Sequence, residues 1–131
     1  MIVLDTHAWV WWVSSPGQLS PKAREAADQA VEAGALYISS ISVWEVVLLV
    51  QRDRLRLTLD VEDWVAYCEA LPFIRFVPVN NAIAMKSIRL PGSLHPDPAD
   101  RIIIATALTI GAPLVTKDHR IRSYPHVETI W

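Results

Sequence analysis

Ile2-Val3-Leu4-Asp5, with Pro113-Leu114-Val115-Thr116-Lys117-Asp118 near the other end of the chain, decides the fold. Each is a short apolar run, too short for a helix, that ends on or near a carboxylate. Such runs read as strands buried on both faces of a sheet. Leu36 to Ser39, Arg75 to Val79 and Val127 to Ile130 add two further strands and a possible fifth. Helical patterns separate them, so parallel pairing with right-handed crossovers is expected. Working outward, two more acids join the pattern. Glu45 lies one turn past Tyr37-Ile38, and Asp100 opens the apolar stretch Ile102 to Leu108. In a parallel sheet, three of these four acids fall at or just beyond strand C-termini, in the crevice where open α/β sheets bind ligands. Carboxylates crowded there repel one another and raise each other's pKa. A hard divalent cation relieves that repulsion. Asp5, Glu45, Asp100 and Asp118 therefore form the candidate metal and catalytic site. A site made of carboxylates alone points to phosphodiester chemistry with Mg²⁺ or Mn²⁺.

The intervening helices are punctuated by residue chemistry. Thr6 to Val13 is a short helix ended by Ser14-Ser15-Pro16-Gly17. Ser20-Pro21 is an N-cap followed by a first-turn proline, starting a helix that Gly34 stops. Val43 to about Arg52, Asp60 or Val61 to Leu71, and Asn81 to Leu90 follow the helical period. Pro98 to Ile110 is the clearest helix, with Gly111 as its C-terminal stop.

The bulk composition describes one domain, residues 1-131, large enough to bury a core. At 52% hydrophobic and 20% charged residues, the chain has the means to fold. Cys68 is the single cysteine, which excludes an intrachain disulfide and a paired-cysteine zinc motif. The first residues carry no basic segment of a signal peptide, and no apolar run is long enough to span a bilayer. A cytoplasmic protein without membrane contact is the expectation. A net charge of -2 argues against binding nucleic acid by bulk electrostatics. An enzyme that reaches phosphates through a bound metal needs less basic surface.

Each acid also has a structural explanation. Ser42-Val43-Trp44-Glu45 fits a capping box. Asp97-Pro98-Ala99-Asp100 fits an aspartate cap followed by a dipole-favoured acid. Asp5 and Asp118 are each placed to cap a following helix. The four together, all acidic and all on one edge of the inferred sheet, favour a joint site. Thr6, Ser42, Asp97 and Thr116 lie beside the acids, where they could orient the carboxylates. Arg101, Lys117, Arg120 and Arg122 are candidates for RNA backbone contacts. His95 is read as packing its loop, with metal ligation as the alternative, and His7 and His119 as polar loop residues, with contact to a substrate or proton as the alternative. The Trp9, Trp11 and Trp12 cluster is read as core, with a partner-binding face as the alternative.

Five stretches carry a family resemblance: Leu4-Asp5-Thr6-His7-Ala8-Trp9, Ser42-Val43-Trp44-Glu45, Leu94 to Arg101, Ile104-Ala105-Thr106-Ala107-Leu108, and Leu114-Val115-Thr116-Lys117-Asp118. In this order they resemble the PIN domain, and more narrowly the VapC-type toxins of toxin–antitoxin pairs. The resemblance implies a three-layer α/β/α PIN-like fold with a central parallel sheet of four to five strands. It implies a metal-dependent endoribonuclease with acids at Asp5, Glu45, Asp100 and Asp118, yielding 5′-phosphate and 3′-hydroxyl ends. It matches Thr116 to the family's hydroxyl and Asp97 to a further acid of one branch. The implied partners are an RNA substrate, a cognate antitoxin protein and a second copy in a homodimer. Ala99, Pro96, Leu49 and Asp53 depart from the usual pattern, so cleavage specificity is not inherited.

Two other classes place an acid after a strand. A metal-dependent phosphatase of the haloacid dehalogenase type needs a second Asp two residues after the first, where this chain has His7. A receiver-like signalling module needs a phospho-accepting Asp after a central strand, where the second strand here ends in serines.

Overall fold

A computed structural model describes residues Met1–Trp131. Along the chain run β1 (Ile2–Leu4), α1 (Thr6–Ser14), a turn of 3-10 helix (Pro16–Gln18), α2 (Pro21–Ala33), β2 (Leu36–Ser39), α3 (Ser40–Gln51), α4 (Val61–Glu69), β3 (Ile74–Val77), α5 (Asn81–Ile88), α6 (Pro98–Ile110), β4 (Leu114–Val115), α7 (His119–Arg122) and β5 (Thr129–Ile130). The five strands make one sheet in the order β3-β2-β1-β4-β5, and every pairing is parallel. This is the three-layer α/β/α arrangement.

The layers follow from strand alternation. Ile2 and Leu4 point to one face, into a core with Trp9 of α1, Ala23, Ala27 and Ala30 of α2, and Trp64 and Cys68 of α4. Val3 points to the other face and meets Ile103, Ile104 and Ala107 of α6 and Ile121 of α7. The small alanines of α2 let that helix approach the sheet closely. Gly34 and Gly111 end α2 and α6 in the left-handed conformation, at φ 65° and 72°, which a side chain disfavours.

The topology creates the site. From β1 the chain builds outward to β2 and β3, then returns to the other side of β1 to lay down β4 and β5. The direction of winding thus reverses between β1 and β4. In open parallel sheets the crevice beyond such a reversal, at the strand C-termini, receives the ligand. Leu4 is level with both Ile38 and Val115, so β1 and β4 end on one line and β2 runs one residue beyond it. The residues that follow them emerge at a common edge.

Two expectations change. The helix expected from Val43 begins at Ser40, and its cap is Ser39, whose hydroxyl accepts from the Ile41 amide at 3.3 Å. The Ser42/Glu45 capping box does not form, because Ser42 lies inside the helix and is fully buried. Serines favour caps in general, but here tertiary contacts draw the helix back to the strand end. The short α7, which the periodicity alone does not reveal, closes directly behind Asp118.

Candidate active site

Asp5 follows β1 in extended backbone and caps α1, with its Oδ1 accepting from the Ala8 amide at 2.8 Å. The residue is only 7% exposed. Burial pushes the carboxyl up to about 6, against the pull of the Thr116 hydroxyl, the Ala8 amide and the charge of His7; Asp100 adds to the rise.

Glu45 projects from α3 toward the same place. Thr6 Oγ1 lies 2.6 Å from Glu45 Oε1 and 2.9 Å from Ser42 Oγ. A hydroxyl has one hydrogen to give, and the carboxylate is the stronger acceptor, so Thr6 donates to Glu45 and accepts from Ser42. Burial raises the Glu45 carboxyl, the Thr6 bond opposes it, and the charges of Asp100 and Asp97 push it further up.

Asp100 sits in the first turn of α6, which Asp97 caps by accepting from the Asp100 amide at 3.2 Å. Burial raises its carboxyl too, with His95 opposing and Asp97 and Asp118 adding to the rise. His95 Nε2 stands 2.7 Å from Asp100 Oδ2. With the carboxylate as acceptor, Nε2 donates; Nδ1 is buried without a hydrogen-bond partner.

Asp118 caps α7, accepting from the Arg120 and Ile121 amides. The buried Thr116 hydroxyl accepts from the Asp118 amide at 3.0 Å and fixes the turn. Burial alone would raise the Asp118 carboxyl, but the Arg120 guanidinium and the capping amides outweigh it, and its pKa is lowered. Arg120 Nη2 lies 3.1 Å from Asp118 and 3.6 Å from Asp100, bridging the two acids.

These side chains line one cavity of about 420 Å³. Asp5, Glu45, Asp97, Asp100 and Asp118 stand against the two cations Lys117 and Arg120, with Thr6, His7 and Trp11 completing the wall. As the side chains stand, each acid is turned to a local partner, and no three metal-ligating groups converge on one point. The donor chemistry nevertheless fits a hard divalent cation. All the acids offer oxygen, three have pKa values raised by burial and by neighbouring acids, and the bridging Arg120 shows that the Asp100 and Asp118 pair attracts positive charge.

Most of the candidate residues come together here, with Ser42 and Thr116 bracing the wall from behind. Arg101 does not. Its guanidinium donates to the carbonyls of Ser87 at 2.9 Å, Ile88 at 3.3 Å and Leu94 at 3.4 Å, tying α6 to the end of α5 and the loop beyond. Its first-turn position aims it back along the helix, away from the cavity. Arg122 is exposed on α7 outside the cavity. Arg120 pairs with the acids instead of standing free on the rim. His95, read from the sequence as loop packing, is a direct partner of Asp100; the sequence signal was only its place five residues before that acid. Trp9 is core, as read, and packs on Trp64 and Phe76, while Trp11 reaches the cavity.

The PIN domain family profile matches residues 2–127. Ribonuclease VapC22 of Mycobacterium tuberculosis is 36% identical over 132 residues, covering 99% of this chain and 98% of the relative. Among solved structures, VapBC2 from Rickettsia felis bound to a DNA fragment from their promoter superposes with a TM-score of 0.69 at 15% identity, covering 98% of this chain and 97% of that one. The FitAcB structure from Neisseria gonorrhoeae gives 0.68 at 22% identity, covering 98% and 96%. The two structures share the fold.

Proposed function

The chain belongs to the PIN-domain family, and on that premise we propose that it is a divalent-metal-dependent endoribonuclease, the toxin of a toxin–antitoxin pair. One observation carries the reading: four carboxylates from four separate segments meet in one cavity at the reversal point of the sheet. Asp5, Glu45, Asp100 and Asp118 would hold Mg²⁺ or Mn²⁺. When bound, such an ion would supply a water acidic enough to lose a proton to solvent near neutral pH and so attack phosphorus, and positive charge for the departing 3′-oxygen.

The chain's own groups do the rest. Ser42 and Thr6 hold Glu45 facing the cavity, Thr116 fixes the turn of Asp118, and His95 holds Asp100 by its Oδ2. Lys117 lines the cavity and offers a cation to the RNA backbone. Cys68 lies in the core, so no thiol nucleophile faces the substrate. The relative's name supports an RNA substrate. The likeness to a solved toxin–antitoxin complex from Klebsiella pneumoniae supports a protein antitoxin as partner. Its seat would be the face of α3 where Trp44 and Val47 are exposed, as an amphipathic segment requires. A second copy of the chain is the further partner proposed. No helix is long and apolar enough to cross a membrane.

The test is RNA cleavage by the purified chain. Cleavage should stop in excess chelator, return with Mg²⁺ or Mn²⁺, and be lost in Asp5→Asn and Asp100→Asn while both variants stay folded. Full activity in chelator, or in Asp100→Asn, would overturn the reading.

A further inference from the structure

Among the residues that line the acidic cavity, Trp11 is the one apolar side chain. It stands one helical turn after His7 on α1, so both rings share a face of that helix. Their centroids are 5.7 Å apart at an interplanar angle of 51°. Trp131 braces the indole at 6.0 Å. The Lys117 ammonium lies 5.7 Å from the ring centroid. Trp9 is sealed in at 0% exposure, whereas Trp11 packs on the same core with one side and lines the cavity with the other. Trp11 is half-buried, and its exposed neighbours are an imidazole and a flexible cation.

We propose that Trp11, flanked by His7, is a stacking platform for one unpaired nucleobase beside the scissile phosphate, with Lys117 swinging from the ring to the RNA backbone. The inference rests on the ribonuclease reading and narrows its substrate to a single-stranded or looped segment. A wall of carboxylates repels phosphate and offers a base nothing to stack on. A flat indole does, because every base has a π-face and unpaired bases are free to leave their own stack. The cation over the indole supplies the charge that the neighbouring phosphate needs. A protein partner would also use tryptophan, but it would not need the ring to line the catalytic cavity.

The experiment measures kcat and KM with Mg²⁺ for a short single-stranded RNA and for the same RNA made abasic at each nucleotide around the cut. Trp11→Ala should raise KM about tenfold or more, with kcat changed less, since base–aromatic stacking is worth roughly that factor. Trp11→Phe, which keeps a π-face, should stay near the parent. One abasic position should raise KM for the parent chain and not for Trp11→Ala. The abasic comparison still holds for the parent and Trp11→Phe even if Trp11→Ala folds poorly. An unchanged KM in folded Trp11→Ala, or no abasic position sensed by the parent, overturns the platform while leaving the nuclease standing. The platform is equally overturned if Trp11→Ala loses antitoxin capture with its KM unchanged. A parent chain that cleaves no RNA overturns both.

Discussion

Burial lifts the Asp5 carboxyl to about 6, from an ordinary value of 3.8. The folded chain therefore holds a proton that the unfolded chain releases. The Asp5 contribution to metal-free stability is most favourable below the unfolded value, falls as pH rises through the folded one, and levels off above it. The penalty above pH 6 is about 3 kcal/mol, since raising a pKa by one costs the charged form roughly 1.4 kcal/mol. Glu45 and Asp100, also raised, add in the same direction. Asp118 is lowered and works the other way: its contribution is present above the unfolded value and is lost as pH falls. Asp5→Asn keeps an oxygen to cap α1 but cannot ionise. Its metal-free melting temperature at pH 7 should exceed the parent's, and its stability between pH 4 and pH 7 should vary less. A variant less stable than the parent at pH 7 would contradict this account of Asp5.

At the scale of elements, α1, α6 and α7 each begin at a carboxylate, so the structural and the catalytic explanations of these acids coincide. Asp5 and Asp118 are caps, Asp97 is the cap of α6, and Asp100 follows it by one turn. Helix ends supply amides that hold the acids in place. Glu45 and Asp100 are not caps: Glu45 relies on Thr6 and Ser42 instead, and Asp100 on His95 and Arg120. The strands, the proline-started helices and their glycine stops were legible because local chemistry sets them. The start of α3 was not, because burial of Ser42 overrides the cap preference of serine. Arg101 was misplaced for a related reason: a cation near an acid in sequence points elsewhere once the helix is wound. Arg101→Ala should lower stability by about 1–3 kcal/mol, since three carbonyls lose a charged donor. Urea unfolding checks the loss, and RNA affinity measured against salt should keep its slope. A flattened slope would instead make Arg101 a phosphate contact.

At the scale of the whole molecule, the site is a consequence of winding. Reversal between β1 and β4 leaves a crevice, and strands that end within one residue of level bring four distant segments to its mouth. The set of acids was legible from their recurrence at the ends of apolar runs. The partners they hold were less so: the place of His95 five residues before Asp100 was the sole hint of that contact, and no spacing reveals that Arg120 bridges two acids. The central claim is that the four carboxylates form one cation site, and Mn²⁺ binding tests it most directly. Calorimetric titration of the metal-stripped parent should show binding that Asp5→Asn and Asp100→Asn each weaken by about tenfold or more. Arg120→Ala should bind Mn²⁺ more tightly than the parent, because Arg120 competes for Asp100 and Asp118. Equal Mn²⁺ affinity in the parent and in both Asn variants would contradict the account.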